Sequence, residues 1–364
     1  MRALRILAGR SARMHIAQQG LQASDVRAIP AAAGGPKGLL LKHLDQYVFG
    51  DWLAGSNQSV HLIGASVGAW RMTCAASNQP IKAFDELSRL YMEEQRYGKT
   101  VTRSTIDAVC ARIVNSLFDP IQASVFEQHR YALHVLTVRG VGALSHAHQG
   151  HVRGYAQAVL ANLLSRQRLG RYVERVAFHH GAPLHFLPAN PAVFDSFDGL
   201  PTRNLLLNAA NLKPALAASG AIPLLISPIQ TIPDAPPGPY WDGGISDYHL
   251  HWPWPCLGGI TLYPHFSPTI VPGWLDKWLT YRRAHRLPTA NWLDNTVLLC
   301  PSEEFVRSLP QRKIPDRRDF KTFGSDWQAR ETAWKTAISA AQQLADEFAQ
   351  FAQKPCLSSI EALN

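Results

Sequence analysis

Two short, mostly apolar segments, each followed by a glycine-rich turn and then a helical pattern, constrain the fold of this chain most. Residues 26–32 lead into the turn 34–38 (GGPKG), and residues 60–63 lead into the turn 64–68 (GASVG). An apolar strand needs cover on both faces, as in a parallel sheet with helical crossovers. The pattern therefore predicts an α/β protein in which strands alternate with helices.

The same alternation continues along the 364 residues of the chain. Further strands are predicted at residues 133–138, 173–178, 203–207, 260–263 and 296–300, with helices at 81–97, 105–117, 154–166 and 212–219. We expect a central, mostly parallel sheet with helices on both faces. Residues 20–265 are predicted to form one domain. Residues 266–364 are predicted to extend it with a strand and one long amphipathic helix, Trp327–Phe351, packed on the same domain.

Composition excludes several classes of protein. Hydrophobic residues make up 46% and charged residues 17% of the chain, which is typical of a globular protein. No apolar run approaches the roughly 20 residues of a membrane-spanning helix, and the basic N-terminus lacks the apolar core of a secretory signal. A cytoplasmic protein is therefore expected. The five cysteines are odd in number and far apart, which argues against disulfides.

The turn 64–68 has the G-x-S-x-G pattern of a nucleophile elbow. A serine on a tight strand-to-helix turn projects its hydroxyl, and glycines two residues before and after it tolerate the close backbone. The following helix N-terminus favours developing negative charge. An ordinary turn with Ser66 as a helix cap would give the same letters, so Ser66 is a candidate nucleophile.

The turn 34–38 is a candidate oxyanion site. Adjacent glycines let successive backbone N–H groups point into one small space. Pro36 has no N–H, so the candidate donors are Gly34 and Gly35, with Lys37 as a third. A phosphate-binding P-loop is excluded, because its spacing is absent and no Ser or Thr follows Lys37.

The third candidate is Asp242, which is followed by Gly243 and Gly244. Two glycines leave the carboxylate unobstructed and let the backbone bring it beside a neighbouring strand end. The sequence Asp198-Gly199 is a useful comparison, because Asp-Gly turns are common and this one is interpreted as having no role.

The order of these motifs along the chain resembles that of four sequence blocks in the patatin-like phospholipase family. The family shows a G-G-G-x-[KR]-G block, a G-x-S-x-G block, an A-S-x-A-x-P block and a D-G-[GA] block. The first block is met here with Ala33 in place of its leading glycine, and the second is complete. Residues 218–223 (ASGAIP) match the third block, and residues 242–244 match the fourth. The resemblance covers about residues 26–263.

The resemblance implies a patatin-like fold, related in architecture to the α/β-hydrolases, and a catalytic dyad without histidine. Ser66 would attack an ester carbonyl, and Asp242 would serve as base in both half-reactions. The oxyanion would be held by Gly34, Gly35 and Lys37. The supporting glycines would be Gly38, Gly64, Gly68, Gly243 and Gly244. The implied substrate is a lipid or another carboxylic ester, with no cofactor and no metal ion.

Two alternatives stay open at this point. The first is an α/β-hydrolase-type esterase with a Ser-His-Asp triad, since His249, His251 and His265 follow Asp242 in the required order. The second is a scaffold that kept the fold and lost catalysis. A metal enzyme is disfavoured, because the clusters at His146, His148 and His151 and at 249–251 lack a nearby carboxylate and the H-E-x-x-H pattern.

The net charge and the tryptophan residues indicate which partners the protein is expected to bind. The net charge of +9 favours anionic partners, but no nucleic-acid-binding motif accompanies it, so nucleic acid is not expected. The basic stretch 312–321 also contains two aspartates, so a solvated loop explains it as well as a binding patch does. Five tryptophans lie near Asp242 and fit either a lipid-contacting lip or core packing: Trp241, Trp252, Trp254, Trp274 and Trp278. Peripheral contact with an anionic membrane surface is therefore expected.

Overall fold

The computed structural model describes residues 2–146, 152–188 and 196–363. The strands are β1 (Leu4–Ala8), β2 (Val26–Ala31), β3 (Val60–Ala65), β4 (Tyr131–Gly140), β5 (Val173–His180), β6 (Thr202–Leu206), β7 (Tyr240–Asp242), β8 (Ile260–Pro264), β9 (Thr296–Pro301) and β10 (Ile360–Ala362). The helices are α1 (Arg10–Gln19), α2 (Lys42–Tyr47), α3 (Val67–Ala75), α4 (Pro80–Glu93), α5 (Arg103–Phe118), α6 (Gln122–Glu127), α7 (Val152–Leu164), α8 (Arg166–Leu169), α9 (Leu212–Ser219), α10 (Glu303–Ser308), α11 (Arg318–Phe323), α12 (Trp327–Ala340) and α13 (Gln342–Gln353).

The ten strands of the described residues form one mixed sheet. Their order is β10-β1-β9-β8-β2-β3-β4-β5-β6, and β7 pairs with β4 beside this path. Most neighbouring pairs run parallel, whereas β1–β9, β4–β5 and β4–β7 are antiparallel. The predicted α/β fold with a mostly parallel sheet is confirmed.

The sheet continues across both of the predicted domain boundaries, residues 20 and 265. β1, which precedes residue 20, pairs antiparallel with β9 and parallel with β10. β9 in turn pairs parallel with β8. The two ends of the chain therefore complete one edge of the same sheet that carries the central strands.

Alternate residues of the strands supply two apolar layers. Ile29 and Leu62 face a layer built from α2–α5, α9 and α13. Ala28 and Ile63 face a second layer that contains Trp252, Trp254 and other residues of segment 248–293, which is largely irregular outside β8. A smaller cluster on α7 and α8 packs beside this segment. One face is thus covered mainly by α-helices, and the other largely by aromatic side chains on short turns.

The predicted single helix Trp327–Phe351 is wrong, because two helices occupy this segment. α12 ends at Ala340, and α13 begins at Gln342 after a turn at Ala341. The turn lets α12 pack beside the 35–41 turn, while α13 packs against α2 and β1. Among the described residues, no helix combines the length and apolar character needed to cross a membrane.

Candidate active site

The site lies at the carboxyl edge of the central strands, where three segments of the chain meet. β2 and β3 are parallel neighbours in which Ala31 pairs with Gly64, so both glycine-rich turns leave the sheet at this edge. β4 is the next strand, and β7 pairs with it so that Asp242 lies opposite Thr137. The sheet therefore brings together three segments that are far apart in sequence.

Ser66 sits on a strained turn between β3 and α3. Its φ of 57° and ψ of −134° are unusual for a residue with a side chain, and such strain costs about 1–3 kcal/mol. A Cβ on Gly64 would lie 2.4 Å from the Ala69 nitrogen, and one on Gly68 would lie 2.1 Å from the Ala31 oxygen. The turn therefore has no room for larger residues at these two positions.

Ser219 holds the Ser66 turn in place, a role that the sequence did not reveal. The Ser66 N–H donates to Ser219 Oγ at 2.8 Å, and this hydroxyl donates to the Leu136 oxygen at 2.7 Å. Two residues later, the Ala221 oxygen accepts a hydrogen bond from the Asp242 N–H at 2.9 Å. The 218–223 segment thus ties the serine turn and the aspartate strand to each other.

The Asp242 carboxylate is buried and interacts directly with Ser66. Burial raises the pKa of Asp242 above its ordinary value. The positive charge of Arg317 opposes this rise, followed by a side-chain hydrogen bond from Ser66 and the Gly244 N–H, which donates to Oδ1 at 2.8 Å. A partly desolvated carboxylate is a stronger base than an exposed one, so this group is suited to accept the serine proton.

The glycine-rich turn lies beside Asp242. Gly35 has a φ of +58°, a conformation that glycine adopts readily, and a Cβ on Gly34 would lie 2.6 Å from the Phe266 ring. Gly34 and Lys37 line the same cavity as Asp242, and burial lowers the pKa of Lys37. A Cβ on Gly38 would lie 3.0 Å from Val67, so this glycine lets the turn pack closely on α3.

Ala33, the departure from the family pattern, does not supply a free donor. Its N–H donates to the Tyr248 oxygen at 2.9 Å, so this backbone group is already used. A Cβ on Gly244 would lie 2.8 Å from the Ala33 methyl and 2.9 Å from Asp242 Oδ1. A Cβ on Gly243 would lie 2.3 Å from the Leu136 oxygen. Both glycines after Asp242 are therefore required by close packing.

Two cavities adjoin the Ser66 and Asp242 region. A polar cavity of about 330 Å³ is lined by Asp242 and Gly34, and a largely apolar cavity of about 700 Å³ is lined by Ser66 and Trp70. Their linings share Ile222 and Arg317. Hereafter they are called the polar cavity and the apolar cavity. Ser66 therefore lines one cavity and Asp242 lines the other.

Arg317 is a site residue that sequence reasoning missed. Of the two explanations left open for residues 312–321, a solvated loop does not fit this position, because the half-buried Arg317 lines both cavities. Its Nε would lie 3.1 Å from a Cβ on Gly35, which places the guanidinium against the glycine-rich turn. The signal was the basic cluster itself, but nothing in the sequence shows that one of its arginines turns inward.

The histidines considered for a triad make their contacts elsewhere. The Val271 N–H donates to His249 Nδ1 at 3.1 Å, the Ser267 N–H donates to His265 Nδ1 at 2.9 Å, and His251 Nε2 lies 3.0 Å from Thr289 Oγ1. Burial lowers the pKa of all three, to about 3 for His251 and His265. Within the described parts of the chain, no histidine lines either cavity.

The metal hypothesis finds no support in these ranges. No group of three or more His, Cys, Asp or Glu side chains is arranged to hold a metal ion among residues 2–146, 152–188 and 196–363. His148 and His151, which belong to one of the sequence clusters, lie outside the described residues.

The five tryptophans do not form a single lip. Trp241, Trp252 and Trp254 are buried in the core, as the packing alternative predicted. Trp274 lines the polar cavity, and Trp278 is 85% exposed. Of the five, only the last two therefore face a cavity or solvent.

A buried ion network holds the chain just after Asp242. Arg175 donates to both oxygens of Asp247 at 2.7 and 2.8 Å and to both oxygens of Asp198 at 3.0 and 2.6 Å. The interpretation of Asp198 as a turn residue without a role is therefore wrong, since it is a structural partner of Arg175.

Two comparisons with known proteins found no match to this chain. No family model matches the chain, and no match is found among the curated proteins.

Proposed function

We propose that this protein is a serine acyl hydrolase of the patatin-like type, which cleaves carboxylic esters of lipids through a Ser66–Asp242 dyad and an acyl-enzyme. The main support is one observation. Ser66, on its strained turn, is close enough to the buried Asp242 carboxylate to influence its pKa, and the two residues line adjoining cavities, one apolar and one polar. A triad is not favoured, because His249, His251 and His265 contact other groups.

The reaction has two half-reactions. Asp242 accepts the Ser66 proton while the serine oxygen bonds to the ester carbonyl carbon. The tetrahedral intermediate then expels the alcohol, which takes the proton from Asp242. Water attacks the acyl-enzyme, Asp242 accepts a proton from it, and the fatty acid leaves as Ser66 regains its proton. No cofactor is needed.

The oxyanion of each tetrahedral intermediate would be held by the glycine-rich turn. Its candidate donors are the N–H groups of Gly34 and Gly35, with Lys37 supplying positive charge nearby. Each well-placed donor is commonly worth about 3–4 kcal/mol in the transition state. Because the Ala33 N–H is bonded to Tyr248, it is not counted among these donors.

The acyl chain would occupy the apolar cavity. Its lining includes Trp70, Val101, Ile106, Ile113, Leu225 and Phe320. Burial of each methylene contributes about 0.8 kcal/mol, or roughly fourfold in binding or rate.

The proposal is tested with p-nitrophenyl butyrate, octanoate and dodecanoate. We expect kcat/KM to rise with acyl length for the wild type, and Ile106→Trp, which fills part of the apolar cavity, to favour the shorter chains. Ile81→Trp, an exposed change on α4, is the matched control. Hydrolysis of none of these esters by folded wild type would contradict the proposal.

We extend the proposal to peripheral contact with anionic membranes from the cytoplasmic side, and nucleic acid is not proposed as a partner. Leu160 and Leu164 on α7 are 60% and 70% exposed, and Trp278 is 85% exposed. Arg282 joins these elements, since its guanidinium donates to the Asn162 and Leu163 oxygens at 2.6 and 3.1 Å. Arg153 on α7, Arg168 on α8 and Arg286, four residues after Arg282, are exposed as well. Apolar side chains flanked by arginines suit an anionic lipid surface.

Vesicle flotation tests this contact. We expect at least about fivefold more protein on phosphatidylglycerol-containing vesicles than on pure phosphatidylcholine, because each basic residue near the surface contributes about 1 kcal/mol. Trp278→Ser and Leu164→Ser should lower the bound fraction on both. Equal binding to neutral and anionic vesicles would contradict the proposed electrostatic attraction to anionic lipid. Self-association through this face without vesicle binding would contradict the whole extension.

A further inference from the structure

The apolar cavity has positive charge on part of its wall. Three cationic side chains line this cavity and not the polar one, and they are hereafter called the cationic rim: Lys99, Lys321 and Arg330. No aspartate or glutamate is among the described lining residues of this cavity. A largely apolar interior is thus combined with cations that have no carboxylate beside them in the lining.

The cationic rim lies away from Asp242 along α11. Arg317 immediately precedes α11 and borders both cavities, whereas Lys321 lies one turn further along this helix. Beyond the end of α11, the exposed residues Gly324 and Ser325 also line the apolar cavity. The six residues of α11 span about 9 Å. The cavity therefore opens to solvent roughly this far from Arg317, at the exposed part of the cationic rim.

Arg330 is the buried member of the cationic rim, since it is only 1% exposed. One of its nitrogens donates to a backbone oxygen, but its Nε–H has no hydrogen-bond partner within the described ranges. Glu331, whose charge acts on Arg330, pairs with Arg96. Asp319 acts on it as well and pairs with Lys313. A buried donor without an acceptor is costly, so an added carboxylate beside this guanidinium would be favourable.

An acyl chain in this cavity would extend from Ser66 towards the cationic rim. Its methylenes would pack on apolar lining residues such as Ile106 and Phe320. A chain that reaches the opening and ends in a methyl group would leave apolar surface in water there. A chain that ends in a carboxylate would bury its methylenes and place its charge beside the cations.

We propose that the substrates include esters of long dicarboxylic acids, in which the acyl chain carries a carboxylate at the end remote from the ester and this group is bound by Lys99, Lys321 and Arg330. The proposal rests on the proposed acyl hydrolase function. Carboxylate is the group favoured here, because its two oxygens match the planar fork of a guanidinium.

Hydrolysis of matched esters tests the proposal. The wild type would be assayed on the mono-p-nitrophenyl ester of dodecanedioic acid and on the same ester with its far carboxylate capped as a methyl ester. We expect kcat/KM to be at least about fivefold higher for the free carboxylate, because charge-assisted hydrogen bonds replace contacts with a neutral group. Equal values would overturn the proposal. The corresponding butanedioic acid pair should show no such advantage, and an equal advantage for that pair would overturn the assignment to the remote rim.

Variants of the two exposed lysines locate the carboxylate. Lys99→Gln and Lys321→Gln should each lower the ratio of kcat/KM for the free acid to that for the capped ester by about two- to fivefold, as exposed ion pairs do. Lys321→Arg should restore most of its loss. Lys82→Gln, at an exposed position on α4, is the matched control and should leave the ratio unchanged. A Lys99→Gln, Lys321→Gln double variant that keeps the ratio but loses binding to phosphatidylglycerol vesicles would assign these lysines to a lipid surface and overturn the proposal.

Calorimetry with the Ser66→Ala protein separates this proposal from the proposed function. Monomethyl dodecanedioate, with one free carboxylate, should bind at least about fivefold more tightly than the neutral dimethyl ester, and Lys321→Gln should reduce the difference. If wild type cleaves the free and capped p-nitrophenyl esters equally, the carboxylate preference fails and the acyl hydrolase stands. If it cleaves neither while binding still depends on Lys321, the hydrolase fails and the carboxylate site stands.

Discussion

Replacing Asp242 with Asn, or Ser66 with Ala, is expected to lower kcat/KM for ester hydrolysis by about 10³- to 10⁴-fold. Asparagine preserves the size of the buried side chain but cannot accept a proton from the serine hydroxyl. Alanine removes the nucleophile. Because the two residues act as one unit, the double variant should be little worse than either single variant.

The measurement is kcat/KM on the best p-nitrophenyl ester, with the thermal unfolding midpoint recorded for each variant. Asp85→Asn, an exposed aspartate on α4 outside both cavities, is the matched control and should keep wild-type activity.

The wild-type rate should also fall at acidic pH as Asp242 becomes protonated. Because burial raises its pKa, this fall should come at higher pH than for an exposed carboxyl. An Asp242→Asn protein with more than about a tenth of wild-type activity would contradict a base role.

Replacing Arg71 with Met is expected to destabilise the fold by about 3–5 kcal/mol. Arg71 lies on α3, one turn beyond Ser66, and its Nε and Nη2 each donate to Asp45 on α2 at 2.7 Å. Both side chains are almost completely buried. Methionine fills a similar volume but leaves the Asp45 carboxylate buried without its cation. For a chain of 364 residues, the unfolding midpoint should fall by roughly 4–7 °C.

The pH dependence gives the Arg71→Met result a specific signature. Burial already raises the pKa of Asp45, and Arg71 is the group that opposes this. In the variant the folded-state pKa rises further above the unfolded value, so the protonated form is favoured by folding. Relative stability should therefore be best at acidic pH and be lost as the pH rises through the folded-state pKa. Unfolding midpoints at pH 5 and pH 8 check this.

The double variant Asp45→Leu, Arg71→Met is the control for Arg71→Met. It removes both charges, so it should recover much of the lost stability. A double variant as unstable as Arg71→Met alone would show that packing, and not the unpaired carboxylate, sets the cost.

The central part of the fold could be predicted because local signals agreed with the final structure. The apolar segments before residues 34–38 and 64–68 form the adjacent parallel strands β2 and β3. Parallel neighbours end at the same edge of a sheet, so the sequence also brought the two turns and Ser66 towards one place. The Asp242 segment joined them because the glycine pair after it permits close approach to Leu136 and Ala33.

Residues whose roles depend on distant partners could not be predicted. Arg317 acts on a carboxylate 75 positions away in the chain, and no local pattern separates it from its solvated neighbours. Ser219 bonds the Ser66 N–H through a contact that spans 153 positions. The turn at Ala341 has no glycine or proline to mark it, since it is set by where α12 and α13 find partners. The pairing of β1 with β9 and β10 is likewise a tertiary feature.

The central claim is that the Ser66 hydroxyl is activated by Asp242 without an imidazole. Labelling with a fluorophosphonate, followed by mass spectrometry of the modified peptide, tests it most directly. We expect the phosphonyl group on Ser66, with a labelling rate that falls sharply in Asp242→Asn and changes little in His249→Gln, His251→Gln and His265→Gln. Removal of a general base commonly costs about 10²- to 10⁴-fold. Labelling that is lost in a folded histidine variant, or unchanged in Asp242→Asn, would contradict the account.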